Sequence, residues 1–261
     1  MNFSFDTYNT PQTICVKIVT KSPQKICLQV SDYNNRNTVF TDRYMVINGE
    51  KTLEVMLPIA PEKCFLSVFN FKNGNIKVDP SFEVSEASIT KKKLATRYDV
   101  VGLGNPKIRN FINFAQNFAL HASDLAPNVV GQYYKSEDGN FFIQYLAQIN
   151  GNDGRELNTP ARINKETGVI QVSKKCFYTL TVPERMAILL HEFSHFNLNE
   201  DIDDESEADL NGLLMYLGLG FPRIEASSAW LEVFLGAQTE QNKARYELIE
   251  QFIKDFENYK I

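Results

Sequence analysis

Apolar and polar residues alternate through most of the first 90 residues, which is the pattern of half-buried β-strands. Positions 12–20 and 25–30 both alternate in this way. Asn48 and Gly49 lie between two further alternating segments, and this dipeptide between two strands predicts a β-hairpin. The first third of the chain is therefore expected to be all-β.

The same pattern continues with apolar segments at 64–69 and 76–78, which the turn residues Asn73 and Gly74 separate. Short strands that recur about every ten residues are typical of a β-sandwich, and about seven of them give the size of an immunoglobulin-like domain. We therefore predict an immunoglobulin-like β-sandwich over residues 1–90. The three histidines of the chain all lie beyond this segment, so it is not expected to carry the chemistry.

Three consecutive lysines, at 91–93, mark the end of this region. A charge run of this kind is usually a solvated segment, and a basic docking patch is the alternative. We predict a linker over residues 91–98 and a second domain over residues 99–261.

Beyond residue 99 the apolar positions recur with helical spacing, interrupted by two hairpins with turns at 136–139 and 164–168, so this domain is expected to be α+β. In the last helix Leu248, Phe252 and Phe256 recur at every fourth position, which predicts a buried stripe, with a contact seam for a partner as the alternative. The helices are predicted at 105–123, 182–198, 204–217, 223–236 and 239–258.

Composition and charge narrow the class of protein. Of the 261 residues, 43% are hydrophobic and 23% are charged, as in globular domains, and no apolar run is long enough to span a membrane. Residues 1–98 have a net charge of +4 and residues 99–261 a net charge of −9, which together give the −5 of the chain. We therefore expect neither a membrane nor a nucleic acid as a partner. The first six residues lack the features of a secretory signal, and the four cysteines form no CxxC pair, so a cytoplasmic protein is expected.

One motif in the predicted helix 182–198 carries chemistry. His191, Glu192 and His195 form an HExxH sequence within an apolar stretch. On a helix the two imidazoles lie about 40° apart on one face, where one Zn²⁺ can bind both. Glu192 projects about 100° round the helix, from where it can act as a general base on a zinc-bound water. Two core histidines bonded to backbone carbonyls are the alternative, although these polar groups are costly in so apolar a helix without a partner ion.

A zinc site needs a third protein ligand, and the sequence offers two places for it. His121 is the only other histidine in the chain. An acidic segment at 200–209 opens the next predicted helix, and within it Glu205 and Asp209 share one face. Glu205 can bind the metal while Asp209 accepts the outer N–H of a ligand histidine. Gly212, near the same face, allows this helix to approach the HExxH helix closely.

The HExxH motif followed by Glu205-x-x-Ala208-Asp209 resembles the zincin metallopeptidases of the gluzincin type, most clearly over residues 160–220. The resemblance implies a zincin-like fold, and it implies the hydrolysis of peptide bonds as the activity. It also implies that the strand around 169–172 is the sheet edge above the helix, to which a peptide substrate adds as an extra strand. The roles that it implies are Zn²⁺ ligands for His191, His195 and Glu205, the general base for Glu192, and an orienting contact to a ligand histidine for Asp209.

The chain departs from these enzymes in two features. Nine residues separate His195 from Glu205, fewer than in most of them, and Asn197 stands where an apolar residue is usual.

A small sandwich joined to a compact zincin-like domain also resembles, in layout alone, some virion proteins of tailed bacteriophages. This resemblance gives a second hypothesis, a structural or assembly protein that keeps a zincin fold with or without its metal. Such a protein would be virion-associated, and its partners would be further copies of the chain or other virion proteins. For a peptidase, the expected partner is a protein or peptide substrate.

Overall fold

A computed structural model describes the chain except for residues 71–83, 126–132, 152, 236–238 and 259–261. The chain divides into two compact units, an N-terminal unit over Met1–Ala95 and a C-terminal unit over Thr96–Ile261. The first is built on a large antiparallel β-sheet, and the second combines a smaller sheet with several helices, so the protein is a mixture of α and β structure.

The sheet of the N-terminal unit is centred on a long strand that has neighbours on both sides. β2 pairs with β3 along nearly its whole length, while on its other side β5 pairs with its first half and β4 with its second half. β1 pairs with β4, and all of these pairings are antiparallel. The strands are β1 (Asn2–Asp6), β2 (Gln12–Asp32), β3 (Val39–Leu57), β4 (Lys63–Asn70) and β5 (Val84–Lys93).

The hairpin predicted at Asn48 and Gly49 is wrong, because β3 runs through both residues without a turn. The predicted strands 12–20 and 25–30 are likewise two halves of β2. The register shifts between Thr20 and Gln24, where residues 21–23 of β2 lie opposite the single residue Asn48 of β3, and the neighbouring Gly49 has a φ of +78°. Glycine adopts a left-handed φ next to an irregularity within a sheet as well as in a turn, which is why the sequence alone suggested the wrong structure. The strand predicted at 76–78 and the turn at 73–74 lie outside the described residues.

The predicted linker over 91–98 also needs correction at both of its ends. The lysines at 91–93 are part of β5, where they pair with residues 12–14 of β2. The short helix α1 (Tyr98–Val101) begins at the other end. The three consecutive lysines are all exposed, so they keep their charges in solvent while the backbone pairs, and a charge run does not exclude a strand.

The C-terminal unit contains one four-stranded sheet in the order β6-β7-β9-β8. β7 and β9 are parallel, whereas the two outer pairs are antiparallel hairpins. The five long helices agree with their predicted positions to within two residues at each end. No helix of the described chain has both the length and the apolar character needed to cross a membrane. The remaining elements are α2 (Pro106–Leu125), β6 (Tyr133–Lys135), β7 (Phe142–Leu146), β8 (Ala161–Ile163), β9 (Ile170–Ser173), α3 (Lys174–Phe177), α4 (Val182–Asn197), α5 (Glu205–Gly218), α6 (Arg223–Leu235) and α7 (Glu240–Asn258).

The edge strand of this sheet beside α4 is β8, and the expectation that the strand around 169–172 forms the edge is wrong. β9 has β7 on one side and β8 on the other, so both of its edges are hydrogen-bonded. The hairpin that joins β8 to β9 places β8 outermost, next to α4. Gly168 turns this hairpin with a φ of +70°.

Candidate metal centre

The helix α4 that carries the HExxH motif runs through the core of the C-terminal unit. Twelve of its 16 residues are buried. It begins with the predicted capping box, in which the Thr181 hydroxyl accepts from the backbone N–H of Glu184 and the Glu184 carboxylate accepts from that of Thr181. This cap satisfies two of the free N–H groups at the buried start of the helix. The position and the rotation of the motif are therefore fixed by local sequence.

The structure brings together the three side chains that were predicted as metal ligands. The Nε2 atoms of His191 and His195 lie 3.1 Å apart. One carboxylate oxygen of Glu205 lies 3.5 Å from His191 Nε2, and the other lies 3.5 Å from His195 Nε2. Ligand atoms about 2.0–2.1 Å from one metal at tetrahedral angles are about 3.3–3.4 Å apart. The three separations between the nitrogen and oxygen atoms of this cluster are close to that value, so they match a site for a small cation. The donor set of two imidazoles and one carboxylate is the kind that holds zinc in catalytic sites.

His121 has no part in this cluster. It lies on α2 and lines a different cavity, together with Tyr134 and Asp138. Among the described residues, the group that can hold a metal ion consists of His191, His195 and Glu205 alone. Of the two places that the sequence offers for a third ligand, the structure favours Glu205.

Glu205 reaches the histidines because α5 packs unusually close to α4. A Cβ atom added to Gly212 would lie 2.9 Å from the backbone nitrogen of His191 and 3.0 Å from its Cα atom. The close approach predicted from Gly212 is thus confirmed. Asp204 caps the start of α5 by accepting from the backbone N–H of Glu207, which leaves Glu205 in the first turn, facing the cluster.

The outer nitrogens of both ligand histidines have partners. His195 Nδ1 lies 2.9 Å from the carbonyl oxygen of Ile202. Because a carbonyl only accepts, this Nδ1 carries a proton and the neutral ring keeps its Nε2 lone pair for a metal. His191 Nδ1 lies 3.0 Å from Asp209 Oδ1, an ion-pair contact without the alignment of a good hydrogen bond. The contact between Asp209 and a ligand histidine is the one expected from the sequence.

The structure adds Arg245, on α7, which the sequence did not point to. Its Nε atom lies 2.7 Å from Asp209 Oδ2, and its Nη2 atom lies 3.0 Å from Asp209 Oδ1. The same Nη2 atom is 3.2 Å from the Glu205 carboxylate. Asp209 and Arg245 are only 1% and 9% exposed, so this is a buried ion pair directly behind the ligands.

The spacing of apolar residues along α7 could have indicated that Arg245 is buried. The buried residues of this helix are Arg245, Ile249 and Ile253, at every fourth position. The stripe predicted from Leu248 is wrong, since that side chain is 41% exposed. An arginine in line with two buried isoleucines indicates a buried partner, but the sequence does not say which one.

The electrostatics of the cluster favour a positive charge between the two Nε2 atoms. Burial opposes protonation of His191, but Asp209 and Glu205 outweigh it and raise the pKa of the imidazole to about 10. The contacts to His191 and His195 in turn hold the pKa of the Glu205 carboxyl far below its usual range. A site that stabilises a bound proton this strongly also attracts a metal cation in its place.

Glu192 stands apart from the other acids of the cluster. It is 8% exposed, and burial is the main cause that raises the pKa of its carboxyl above the ordinary value. The two histidines and a hydrogen bond from the backbone of Ile163 oppose this shift. Its carboxylate is therefore kept near the ligands with a greater affinity for a proton than a solvated glutamate has.

The cluster opens into a cleft of about 210 Å³ between α4 and the edge strand β8. Small apolar side chains line much of it, among them Ala161, Ala187 and Ala229, while Glu192 and Arg245 lie at the polar end beside the ligands. The hydrogen bonds from Asn164 N to Val169 O and from Ser173 N to Pro160 O fix the ladder between β8 and β9. This register turns the backbone groups of Ala161 and Ile163 away from β9, toward the open edge.

Neither protein-family models, nor curated proteins, nor solved structures gave a match to this chain. The comparisons therefore assign the chain to no family.

Proposed function

We propose that the protein is a zinc-dependent peptidase and that its C-terminal unit is a zincin-like domain. The observation that carries this proposal is the convergence of His191, His195 and Glu205 at the spacing of a tetrahedral site, with Glu192 beside them in an open cleft. When bound, zinc would supply a Lewis acid that polarises a carbonyl and lowers the pKa of a coordinated water.

Glu192 would act as the general base. Its carboxylate lies in the cleft beside the ligands, and burial already raises its affinity for a proton. A general base of this kind takes a proton from the attacking water and delivers it to the leaving amine. The same carboxylate therefore has to bind the proton and then release it. The hydrogen bond from the Ile163 backbone keeps the carboxylate in position during this transfer.

The edge strand β8 suggests the class of substrate. An extended peptide can pair with the outward N–H of Ala161 and the outward carbonyl of Ile163 and so add a strand to the sheet, while the Ile163 N–H stays bonded to Glu192. Such pairing depends on the peptide backbone and not on its side chains, so it suits a protein or peptide substrate. The small apolar residues of the cleft would receive one side chain of that peptide.

For the N-terminal unit we propose an immunoglobulin-like sandwich as the finer description. The even-numbered residues of β2 from Ile14 to Ile18 and from Ile26 to Val30 are fully buried. No helix lies among the described residues of this unit to cover them. Covering one face of a sheet without a helix requires the sheet to fold over itself, and the register shift beside Gly49 supplies the bend.

The proposal is tested by separating metal binding from turnover. Wild type and Glu192→Gln are purified without chelator, their zinc is measured by elemental mass spectrometry, and both are incubated with a complex peptide library read out by mass spectrometry. We expect about one zinc per chain in both proteins and cleavage by wild type only. Glu166→Gln, in the exposed β8–β9 hairpin, is the matched control and should cleave like wild type.

Two results would contradict the proposal. Equal cleavage by Glu192→Gln and wild type would remove the general base from its role. Zinc that is retained in His191→Ala and Glu205→Ala would show that the ion binds elsewhere. Stoichiometric zinc without cleavage of any peptide would favour the structural hypothesis, in which the site only stabilises the fold.

A further inference from the structure

The turn that joins β1 to β2 holds a tyrosine in a conformation that tyrosine rarely adopts. Tyr8 and Asn9 have φ values of +55° and +52°, and the N–H of Thr10 donates to the carbonyl of Thr7 over 3.0 Å. This is a turn with two left-handed central residues, which asparagine and glycine favour and bulky residues avoid. Tyr8 is also 70% exposed, so burial of its ring does not offset the backbone strain.

Tyr33, in the loop between β2 and β3, lies at the same end of the N-terminal unit. The backbone N–H of Tyr8 donates to the carbonyl of Glu62, and that of Tyr33 donates to the carbonyl of the next residue, Lys63. These two bonds, of 2.9 and 3.0 Å, hold both loops against one short segment. Tyr33 is 41% exposed, so two tyrosine rings face solvent at this end of the sheet.

Three cations surround these rings. Lys63 Nζ lies 4.4 Å from the centre of the Tyr33 ring, and the Arg36 guanidinium lies 5.1 Å from it. Lys91 Nζ lies 5.7 Å from the Tyr8 ring. Within the described part of the chain none of the three forms an ion pair with a carboxylate. We call these five residues the aromatic–basic patch.

The two tyrosines and the arginine of this patch are residue types that are enriched at protein interfaces. Tyrosine and arginine are enriched among the residues that dominate binding energy, because they bury a large area at a low cost in side-chain entropy. Cations that stack on exposed rings without carboxylate partners favour a partner with negative charge. The net charge of −9 over residues 99–261 shows that the chain itself offers such a surface.

We propose that the aromatic–basic patch binds the acidic loop 200–204 of a second copy of this chain. This loop holds four exposed carboxylates, those of Glu200, Asp201, Asp203 and Asp204. Among the described residues only Asp203 forms an ion pair, with Lys165. The loop therefore carries a negative charge that complements the positive charge of the patch. The contact joins two different surfaces, so copies bind reciprocally in a pair or head to tail in a larger assembly.

The self-association is measured by sedimentation velocity of the full chain over a range of concentrations, at low and at high salt. We expect assemblies at low salt that dissociate at high salt, because exposed charges are screened. Arg36→Glu/Lys63→Glu and Glu200→Lys/Asp201→Lys should each weaken association by about tenfold or more. A mixture of the two double variants restores the charge complementarity and should associate again. Lys21→Glu/Lys51→Glu changes the charge of the same unit equally and is the matched control.

Tyr8→Asn separates an interface role from a structural one. Asparagine tolerates the left-handed turn better, so the melting temperature should stay the same or rise while self-association weakens. A protein that stays monomeric at every concentration and at low salt would overturn the proposal. So would assembly that ignores both double variants, or binding of an RNA oligonucleotide by the patch in a protein that remains monomeric.

Discussion

Replacing Arg245 by methionine tests how far the metal centre depends on α7. The substitution keeps most of the buried stem and removes the guanidinium that contacts Asp209 at 2.7 and 3.0 Å. Asp209 is 1% exposed, so its charge would lose its main cationic partner while it remains buried. We expect the protein to lose stability and the ligands to lose their fixed geometry.

The size of the effect follows from the contact. Two unit charges about 4 Å apart attract by about 4 kcal/mol at an effective dielectric constant of about 20. Breaking one side of a buried pair costs about 3–5 kcal/mol in other proteins. His191 remains beside Asp209 and compensates part of the charge, so we expect a loss of about 3 kcal/mol in the free energy of unfolding. Zinc affinity should fall by about 10–100-fold, as when other partners of ligand histidines are removed.

Urea unfolding in the presence of a chelator measures the loss of stability, and competition with a chromophoric chelator measures zinc affinity. Arg223→Met is the control, because Arg223 pairs with Glu257 at the surface and its loss should cost about 0–1 kcal/mol. Arg245→Lys keeps the charge without the fork of two donors and should lie between wild type and Arg245→Met. An Arg245→Met protein with the stability and the zinc affinity of wild type would refute the reasoning.

Three further predictions concern the same centre. Gly212→Ala forces a Cβ atom against the His191 backbone, so urea unfolding should show a loss of about 1–3 kcal/mol and zinc titration a weaker site. In metal-free protein the raised pKa of His191 stabilises the fold below about pH 6.5, and this contribution is lost as the pH rises toward 10. Unfolding free energies measured over this range should therefore fall more steeply in wild type than in His191→Ala, and equal slopes would contradict the assignment. His121→Ala should leave the zinc content unchanged by elemental mass spectrometry, since His121 lines another cavity.

The sequence predicts the parts of the centre that depend on neighbours along the chain. The capping box at Thr181, the spacing of His191 and His195, and the shared face of Glu205 and Asp209 all follow from helical periodicity and from hydrogen bonds within one turn. These signals reach over three or four residues, so they do not require knowledge of the tertiary fold. The bounds of the long helices could be predicted for the same reason.

Features that depend on distant partners could not be predicted in this way. Arg245 lies 36 residues beyond Asp209, and only the packing of α7 against α5 makes them partners. The register shift beside Gly49 and the edge position of β8 likewise depend on which strand lies alongside. A turn-forming residue or an alternating segment permits several pairings, and the global sheet selects one of them.

Asp209 links the candidate metal centre to the core of the C-terminal unit. It lies on α5, contacts the ligand His191 on α4, and pairs with Arg245 on α7. The carboxylate that would orient His191 toward a bound cation is therefore the same one that holds these three helices together. Any metal that binds only the folded chain also stabilises it. If zinc bound at this centre and were then lost, the buried carboxylate would stay between one arginine and a histidine whose raised pKa favours uptake of a proton. The site is thus expected to keep its shape without metal, through His191 protonation, and to exchange that proton for zinc with little movement of the helices.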